Sequence, residues 1–548
     1  MQKRILHISL LLIGFIVLNS ISRTFYYRFD LTSDQRFTLS EATESLVKKV
    51  DRALIIKVYL DGDFPLDFKR IQQATKQHIE ELKALNPKIH VQYSNPEGHE
   101  EELIEAGLQP SRLTIEEKGR ITEVVIFPWA VITYKNKTAL VPLLVNSQNS
   151  GEEQVQQSIE NLEYAFSNAL SQVIRSKTKS IAVLRGNGEL DNIYLYDFLS
   201  TLKEQYNLAQ FTLDTADLDP VKTAKDITKY DLTIIAKPTK AFSEKEKLIL
   251  DQYIMHGGKT LWLLDYVTAE MDSLQQTGEA FFLARDLNLT EMLFSYGVRV
   301  NHNLVEDLYC SKIAVATGNV GNKTQFKPFL WHYYPLVKPN TKHPATKHLE
   351  AVNLKFPSSI DTLPSAIKKT ILLQSSPLSK RNGLPAMVSL ASIAEKINPE
   401  TYKHKPEILG VLLEGEFKSA FQHRNKAFNT DYIDKSRATK MVVISDGDII
   451  ANQILQGEPT QMDVDKWTGQ HFGNKNFLLN TVNYLLDDEG LLDIRGKQLD
   501  IKLLNKEKIH KSGYFWPFIN VFIPLFLLGI FGLSFYYFRK RKYKHKPN

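Results

Sequence analysis

Residues 180–192 read SIAVLRGNGELDN: four apolar residues, a loop with two glycines, and the start of a helical pattern. The same alternation continues along the chain. A strand is predicted near Phe211, a second over 231–236, a helix from Ser243 and another strand over 260–265. Alternating strands and helices are typical of a mostly parallel sheet covered by helices on both faces. We therefore predict an α/β domain over residues 177–505.

The C-terminal part of this domain returns to the same pattern after an interruption. Residues 441–444 read MVVI, a buried strand, and 474–486 have helical spacing. Between about 306 and 430 the sequence breaks into pieces rich in Pro, Lys and Ser with short strands. We interpret 306–430 as a β-rich insertion in the second domain.

A separate α/β domain is predicted before it, over residues 24–176. Residues 54–60 form an apolar run, 68–85 have apolar side chains at helical spacing, and 89–93 alternate as a strand. This is a βαβ unit of the thioredoxin or flavodoxin kind. The fold class is thus α/β, with two tandem domains.

Two apolar segments flank these domains. Residues 5–21, within a predicted N-terminal transmembrane helix (1–23), are at the lower limit of the length that crosses a bilayer, and residues 514–538 are long enough. Basic residues lie outside both segments and an aromatic residue marks one membrane interface. These residues are Lys3, Arg4, Trp516, Arg539, Lys540, Arg541 and Lys542. They predict both termini in the cytoplasm and the body in the periplasm, anchored in the inner membrane; a cleaved signal peptide is the alternative for the first segment.

The net positive charge of the chain comes from its C-terminal tail. The net charge is +6, and six Lys or Arg side chains lie in the last ten residues, 539–548, with no acidic residue among them. The body is therefore electrically balanced, and no nucleic-acid partner is predicted. The single cysteine, Cys310, excludes an intrachain disulfide.

Two loops carry candidate ligand-binding residues, because ligands of open α/β sheets bind beyond the carboxyl ends of strands. These candidates are Arg185, Gly186, Asn187, Gly188, Glu189, Asp446 and Asp448. The two glycines of the first loop also fit a tight turn. The two aspartates could hold a hard cation, but a turn with Gly447 at positive φ is favoured, so no metal site is predicted.

Catalytic signatures are not found in the sequence. Cys310 could be a nucleophile, but it lacks the small-residue elbow that such a thiol needs, so a buried, inert cysteine is favoured. No G-x-x-x-x-G-K-[ST] phosphate loop occurs, which excludes ATP hydrolysis by that route. We predict no catalytic residue and no cofactor.

Several stretches in order along the chain resemble the gliding-motility-associated ABC transporter auxiliary, or substrate-binding, proteins of the GldG type from Bacteroidota. They are RFDLTSDQRFTLS from Arg28, VYLDGDFPLDFKRI from Val58, GVLLEGEFKSAF from Gly410, VISDGDIIANQI from Val443 and FGNKNFLLNTVNYLLDDEGLLDIRGK from Phe472. The resemblance implies a complex with a separate ABC ATPase subunit and a multi-spanning permease subunit.

Three hypotheses follow. The first is a non-enzymatic accessory subunit of an ABC transporter linked to gliding motility. The second is a membrane-anchored periplasmic enzyme acting on envelope material through Asp446, Asp448 or Cys310. The third is a purely structural scaffold.

Overall fold

The computed structural model of the chain describes residues 14–15, 38–60, 62, 64, 66–117, 120–145, 151–174, 177–321, 323–347, 349–402, 405–487, 490, 494 and 515–543. The predicted first span and its Lys3 and Arg4 lie outside these residues, apart from positions 14 and 15. Residues 1–498 form one compact unit and 499–548 a second.

The first sheet confirms the βαβ unit. Its order is β2-β1-β5-β6 within the described residues: β1 (Leu54–Val58) pairs in parallel with β2 (Ile89–Tyr93) and antiparallel with β5 (Trp129–Tyr134). Apolar side chains of these strands pack against a crossover helix and a second long helix, α2 (Leu66–Leu85) and α4 (Gly151–Ile174). A short helix, α1 (Glu41–Lys48), precedes this unit and has Ser40 as its N-cap.

The main sheet has nine strands among the described residues. In order across the sheet they are β12 (Val298–Val300), β17 (Ile360–Thr362), β21 (Ile408–Lys418), β22 (Lys435–Ile444), β10 (Lys259–Leu263), β9 (Leu232–Ala236), β7 (Ser180–Arg185) and β8 (Asn207–Thr212), with β18 (Lys368–Gln374) paired to β21. The five strands β8, β7, β9, β10 and β22 are parallel. Every residue of β9 (Leu232–Ala236) is buried, as expected for a parallel strand covered on both faces. The mixed α/β class is therefore confirmed.

Side-chain alternation along these strands builds two cores, one on each face. Ile234 and Leu261 point to a core closed by α5 (Asn192–Gln205) and α10 (Asn474–Leu486). Their neighbours Ile235 and Trp262 point to a core on the opposite face, closed by α7 (Glu244–Met255). Two buried faces explain why the strands read as continuous apolar runs.

The predicted insertion over 306–430 differs from the structure in one respect. The segment is β-rich, but β17 (Ile360–Thr362) and β21 (Ile408–Lys418) are strands of the main sheet, and β21 lies antiparallel beside β22 (Lys435–Ile444). Residues 408–418 are therefore part of the central sheet. The remaining strands of the segment form small sheets, of which the long hairpin of β14 (Cys310–Val320) and β15 (Lys323–Val337) is the largest by strand length.

One described helix is long and apolar enough to cross a membrane. It is α11 (Phe515–Tyr543), whose stretch Pro517–Arg541 contains an 18-residue window with a mean hydropathy of 2.2. Trp516 and Arg539–Lys542 lie within this helix.

The other helices are α1 (Glu41–Lys48), α3 (Glu100–Glu105), α6 (Pro220–Ile227), α8 (Met271–Thr277) and α9 (Thr290–Tyr296). The other strands are β3 (Ser111–Glu117), β4 (Arg120–Ile126), β6 (Lys137–Pro142), β7 (Ser180–Arg185), β8 (Asn207–Thr212), β10 (Lys259–Leu263), β11 (Glu279–Phe282), β12 (Val298–Val300), β13 (Asn303–Asp307), β16 (Val352–Asn353), β18 (Lys368–Gln374), β19 (Ser379–Gly383), β20 (Ala386–Ser389), β23 (Ile454–Leu455) and β24 (Glu458–Pro459).

Candidate functional site

A cavity of about 630 Å³ lies at the carboxyl ends of the parallel strands. The chain runs from β7 to β8 on one side and returns to β9 on the other, so the strand order reverses between β7 and β9. Open α/β sheets bind ligands at this kind of reversal. The walls include Gly188, Glu189, Asp191, Tyr194, Lys237, Thr239, Glu270, Asp272, Gln275, Lys312, Tyr334, Lys355, Phe356, Asp448, Trp467 and Asn474.

Lys237, the first residue after β9, is central to the floor of the cavity. Its ammonium nitrogen lies 2.8 Å from both carboxylate oxygens of Asp448 and 3.0 Å from Oε2 of Glu270. Asp265, the second residue after β10, places Oδ2 3.6 Å from the same nitrogen. One lysine therefore connects the loops that follow three neighbouring strands; we call these four side chains the lysine cluster.

Gly447 allows the loop after β22 to reach this lysine. A β-carbon added to Gly447 would lie 2.6 Å from both Cβ and Cγ of Lys237. The backbone N–H of Gly447 also donates to Oδ1 of Asp265 at 2.5 Å. The prediction of positive φ at Gly447 is wrong, because φ is −80° there; glycine is needed for close approach.

Burial and mutual repulsion raise the pKa values of Asp265 and Asp446. Burial raises the pKa of Asp265 to about 7, and Asp448 acts in the same direction. Burial also raises the pKa of Asp446 well above its ordinary value, with Asp265 adding to the effect. Burial alone would lower the pKa of Lys237, but Asp448, Asp265 and Glu270 together outweigh it and raise that pKa. Lys237 is therefore a permanent ammonium near neutral pH.

The glycine loop after β7 contributes Gly188 and Glu189 to the cavity wall. Gly186 and Gly188 have φ of +120° and +72°, so the tight turn predicted for them is present. A β-carbon on Gly188 would also lie 2.2 Å from the hydroxyl oxygen of Thr239. The carbonyl of Asn187 accepts the N–H groups of Thr239 and Lys240 at 2.9 and 2.8 Å. These bonds join the loops after β7 and β9.

The structure brings part of the predicted site together. Gly188, Glu189 and Asp448 line one cavity. Asp446 is buried behind Asp448 and accepts the N–H groups of Asp448 and Lys355, both at 2.8 Å. The first three residues of the loop are not in its wall: Arg185 hydrogen-bonds Asn192, and Gly186 and Asn187 shape the turn.

Sequence reasoning missed Lys237, Asp265 and Glu270. A signal for the first two was present, because each follows a buried apolar strand within two residues, in TIIAK and LWLLD. Polar residues directly after parallel strands meet at one sheet edge.

In the described residues the aspartates form no metal centre, and the cysteine is protonated. No group of three His, Cys, Asp or Glu side chains in the described part of the chain is placed to hold a metal ion. The ammonium of Lys237 lies where a cation between the carboxylates would be. Burial raises the pKa of Cys310 to about 12, so this buried side chain is a thiol at neutral pH.

Comparisons with known proteins match most of the chain to two family models. Residues 178–481 match the model of a family described as an ABC-type uncharacterized transport system, and residues 33–133 match a domain of unknown function. No curated protein matches the chain. Among solved structures, the mmIFT52 N-terminal domain is similar at 13% identity and a TM-score of 0.32, covering 57% of this chain and 99% of that one. A similarity at this level does not indicate a function.

Proposed function

Because the chain belongs to the family described as an ABC-type uncharacterized transport system, matched over residues 178–481, we propose that it is a non-ATPase accessory subunit of an ABC transporter linked to gliding motility. The family match supports the role in an ABC transporter. The five stretches that resemble GldG-type proteins support the link to motility.

The partners are a separate ATPase and a multi-spanning permease. The sequence contains no phosphate loop, so the energy of ATP hydrolysis must come from another subunit. One or two apolar helices cannot enclose a path for a polar solute, since lipid-exposed backbone and solute both need shielding by a bundle or a barrel. The permease supplies that path.

The chain acts from the inner membrane, with two spans and its body in the periplasm. This topology is supported by α11, whose apolar stretch is followed within the same helix by the basic residues Arg539–Lys542, and by Lys3 and Arg4 before the first apolar segment. Excess Lys and Arg marks cytoplasmic flanks.

The role is binding and coupling rather than catalysis. A lysine nucleophile or base needs a lowered pKa, whereas the carboxylates around Lys237 raise its pKa. Asp446 is fully buried, and its carboxylate accepts hydrogen bonds from two backbone N–H groups. The cavity and its connected strand-end loops fit a site that binds a ligand.

Co-purification tests the proposal. The full chain, tagged at its C-terminus, is extracted in mild detergent and its partners are identified by mass spectrometry. We expect an ABC ATPase and a multi-spanning permease in amounts comparable to the chain, and loss of both from a variant that lacks residues 515–543. Recovery of the chain without either partner would contradict the proposal.

Thiol labelling tests the topology. In a Cys310→Ala background, Leu218→Cys places a thiol at a side chain that is 89% exposed. A maleimide that cannot cross the inner membrane should label it in cells with a permeabilised outer membrane. Labelling only after the inner membrane is lysed would place the body in the cytoplasm and refute the arrangement.

A further inference from the structure

Several polar side chains of the cavity wall are not used by the fold. The carboxylates of Asp191 and Asp272, the amide of Gln275 and the ammonium groups of Lys312 and Lys355 make no hydrogen bond or ion pair to another side chain or backbone group in the described ranges, and all five residues line the cavity. Acceptors and donors are thus both available to a bound molecule.

Glu189 adds a further acceptor. One of its carboxylate oxygens accepts the N–H of Asn187 at 2.9 Å, and the other is buried without a partner among the described residues. An unpartnered buried acceptor costs free energy that a donor from a ligand would recover.

These lining residues disfavour three classes of ligand. No arginine is among the described lining residues, and carboxylates outnumber ammonium groups, which disfavours phosphate or another anion. The carboxylates nearest the floor are already neutralised by Lys237, which disfavours a metal ion. A lipid chain would need a mainly apolar wall, and this wall is about half polar by its lining residues.

A hydroxyl group both donates and accepts hydrogen bonds, so it is satisfied beside either kind of wall group. The aromatic side chains of Tyr194 and Trp467 lie at the wall and are 40% and 54% exposed. Phe326 packs beside the ring of Trp467, with centroids 5.0 Å apart. Flat, exposed rings beside hydroxyl-binding groups suit the C–H face of a sugar ring.

Two of the five described non-glycine residues with positive φ line the cavity. Lys237 and Phe356 have φ of +54° and +48°, and both line the cavity. A bulky residue in the left-handed region is costly, and such residues persist mainly at functional sites. The cavity is therefore held in a defined shape.

We infer that this cavity binds a neutral polyhydroxylated ligand, a short run of sugar units. Asp191, Asp272 and Glu189 accept hydroxyl protons, Lys312 and Lys355 donate to hydroxyl oxygens, and Trp467 contacts a ring face. The inference rests on the proposed function, because it names the class of molecule that the accessory subunit recognises.

Calorimetric titration of the full chain tests this site, in a detergent without a sugar headgroup. The probes are cellotriose, maltotriose and N,N′,N″-triacetylchitotriose, with inorganic phosphate and spermidine as charged comparisons. We expect at least one trisaccharide to bind and neither charged probe to compete with it. The Asp191→Asn/Asp272→Asn variant should bind that trisaccharide at least about tenfold more weakly, since two charged acceptors are lost.

The matched control is Asp217→Asn, an exposed aspartate outside the cavity, which should bind as the parent does. Absence of binding by all three trisaccharides, or binding of phosphate or spermidine in their place, would overturn the inference. Co-purification of the double variant with the ATPase and permease separates the two proposals. If the complex forms without sugar binding, only this inference fails; if no complex forms even for the parent chain, the proposed function fails.

Discussion

Replacing Lys237 by methionine removes the one ammonium of the lysine cluster while keeping a side chain of similar length. Asp448 and Asp265 then lose their counter-charge, whereas Glu270 keeps Arg285, whose guanidinium lies 3.7 Å from the other carboxylate oxygen of Glu270. The side chains of Lys237, Asp265 and Asp448 are 6%, 8% and 17% exposed, so water replaces the lost contacts of these two aspartates poorly. Breaking a buried pair by removing one partner costs about 3–5 kcal/mol.

The assay is equilibrium unfolding of the purified chain in urea, followed by circular dichroism. Lys245→Met is the matched control: Lys245 pairs with Asp217 at 3.3 Å, but the Asp217 side chain is 82% exposed. An exposed pair contributes about 0–1 kcal/mol. Lys237→Met should therefore lower the free energy of unfolding several times more than the control does.

A double variant checks the cause. Lys237→Met/Asp448→Asn removes one uncompensated carboxylate, so it should be less destabilised than the sum of the two single changes, by more than about 0.5 kcal/mol. Equal effects of Lys237→Met and Lys245→Met, or strict additivity in the double variant, would refute the electrostatic account of the cluster.

Three further predictions concern the same unit. Gly447→Ala should destabilise the chain by about 1–3 kcal/mol through overpacking against Lys237, whereas Gly383→Ala, with open space around it, should change little; equal unfolding midpoints would contradict this. The pKa of Asp265 is about 7 in the folded chain, above its unfolded value, so the folded state binds the extra proton and this group's contribution is lost as pH rises through 7. The free energy of unfolding of the parent relative to Asp265→Asn should therefore fall between pH 5 and pH 8. Urea unfolding of both proteins at each pH measures this difference, and a rise over that range would contradict the prediction. Because burial raises the pKa of Cys310 to about 12, a maleimide should label this thiol slowly in the native chain and rapidly in urea; equal rates would show that the thiol is accessible.

Local patterns were enough to predict the α/β elements, because each depends on neighbouring residues. The strand over 181–184, the helix after Ser243 and the strand over 260–263 form where the apolar spacing places them. The N-cap at Ser40 follows from side-chain chemistry within three residues.

Features set by strand order were not predictable in the same way. Residues 408–418 alternate like many short strands, and nothing local shows that they pair with β22 in the central sheet. Lys237 gains its importance because β22, β10 and β9 are neighbours, although Asp448 lies 211 positions further along the chain. Gly447 is constrained by the side chain of Lys237 and not by its own φ, so a turn rule could not identify the reason for glycine there.

Photo-crosslinking in living cells tests the claim that this chain is an accessory subunit coupled to a permease most directly. A photoreactive phenylalanine analogue at Phe531, an exposed position of α11, should give an adduct that contains a multi-spanning permease, whereas the analogue at Leu218 in the body provides the comparison. The account predicts that permease adduct at Phe531. An adduct formed only with another copy of this chain, or none at all, would contradict it.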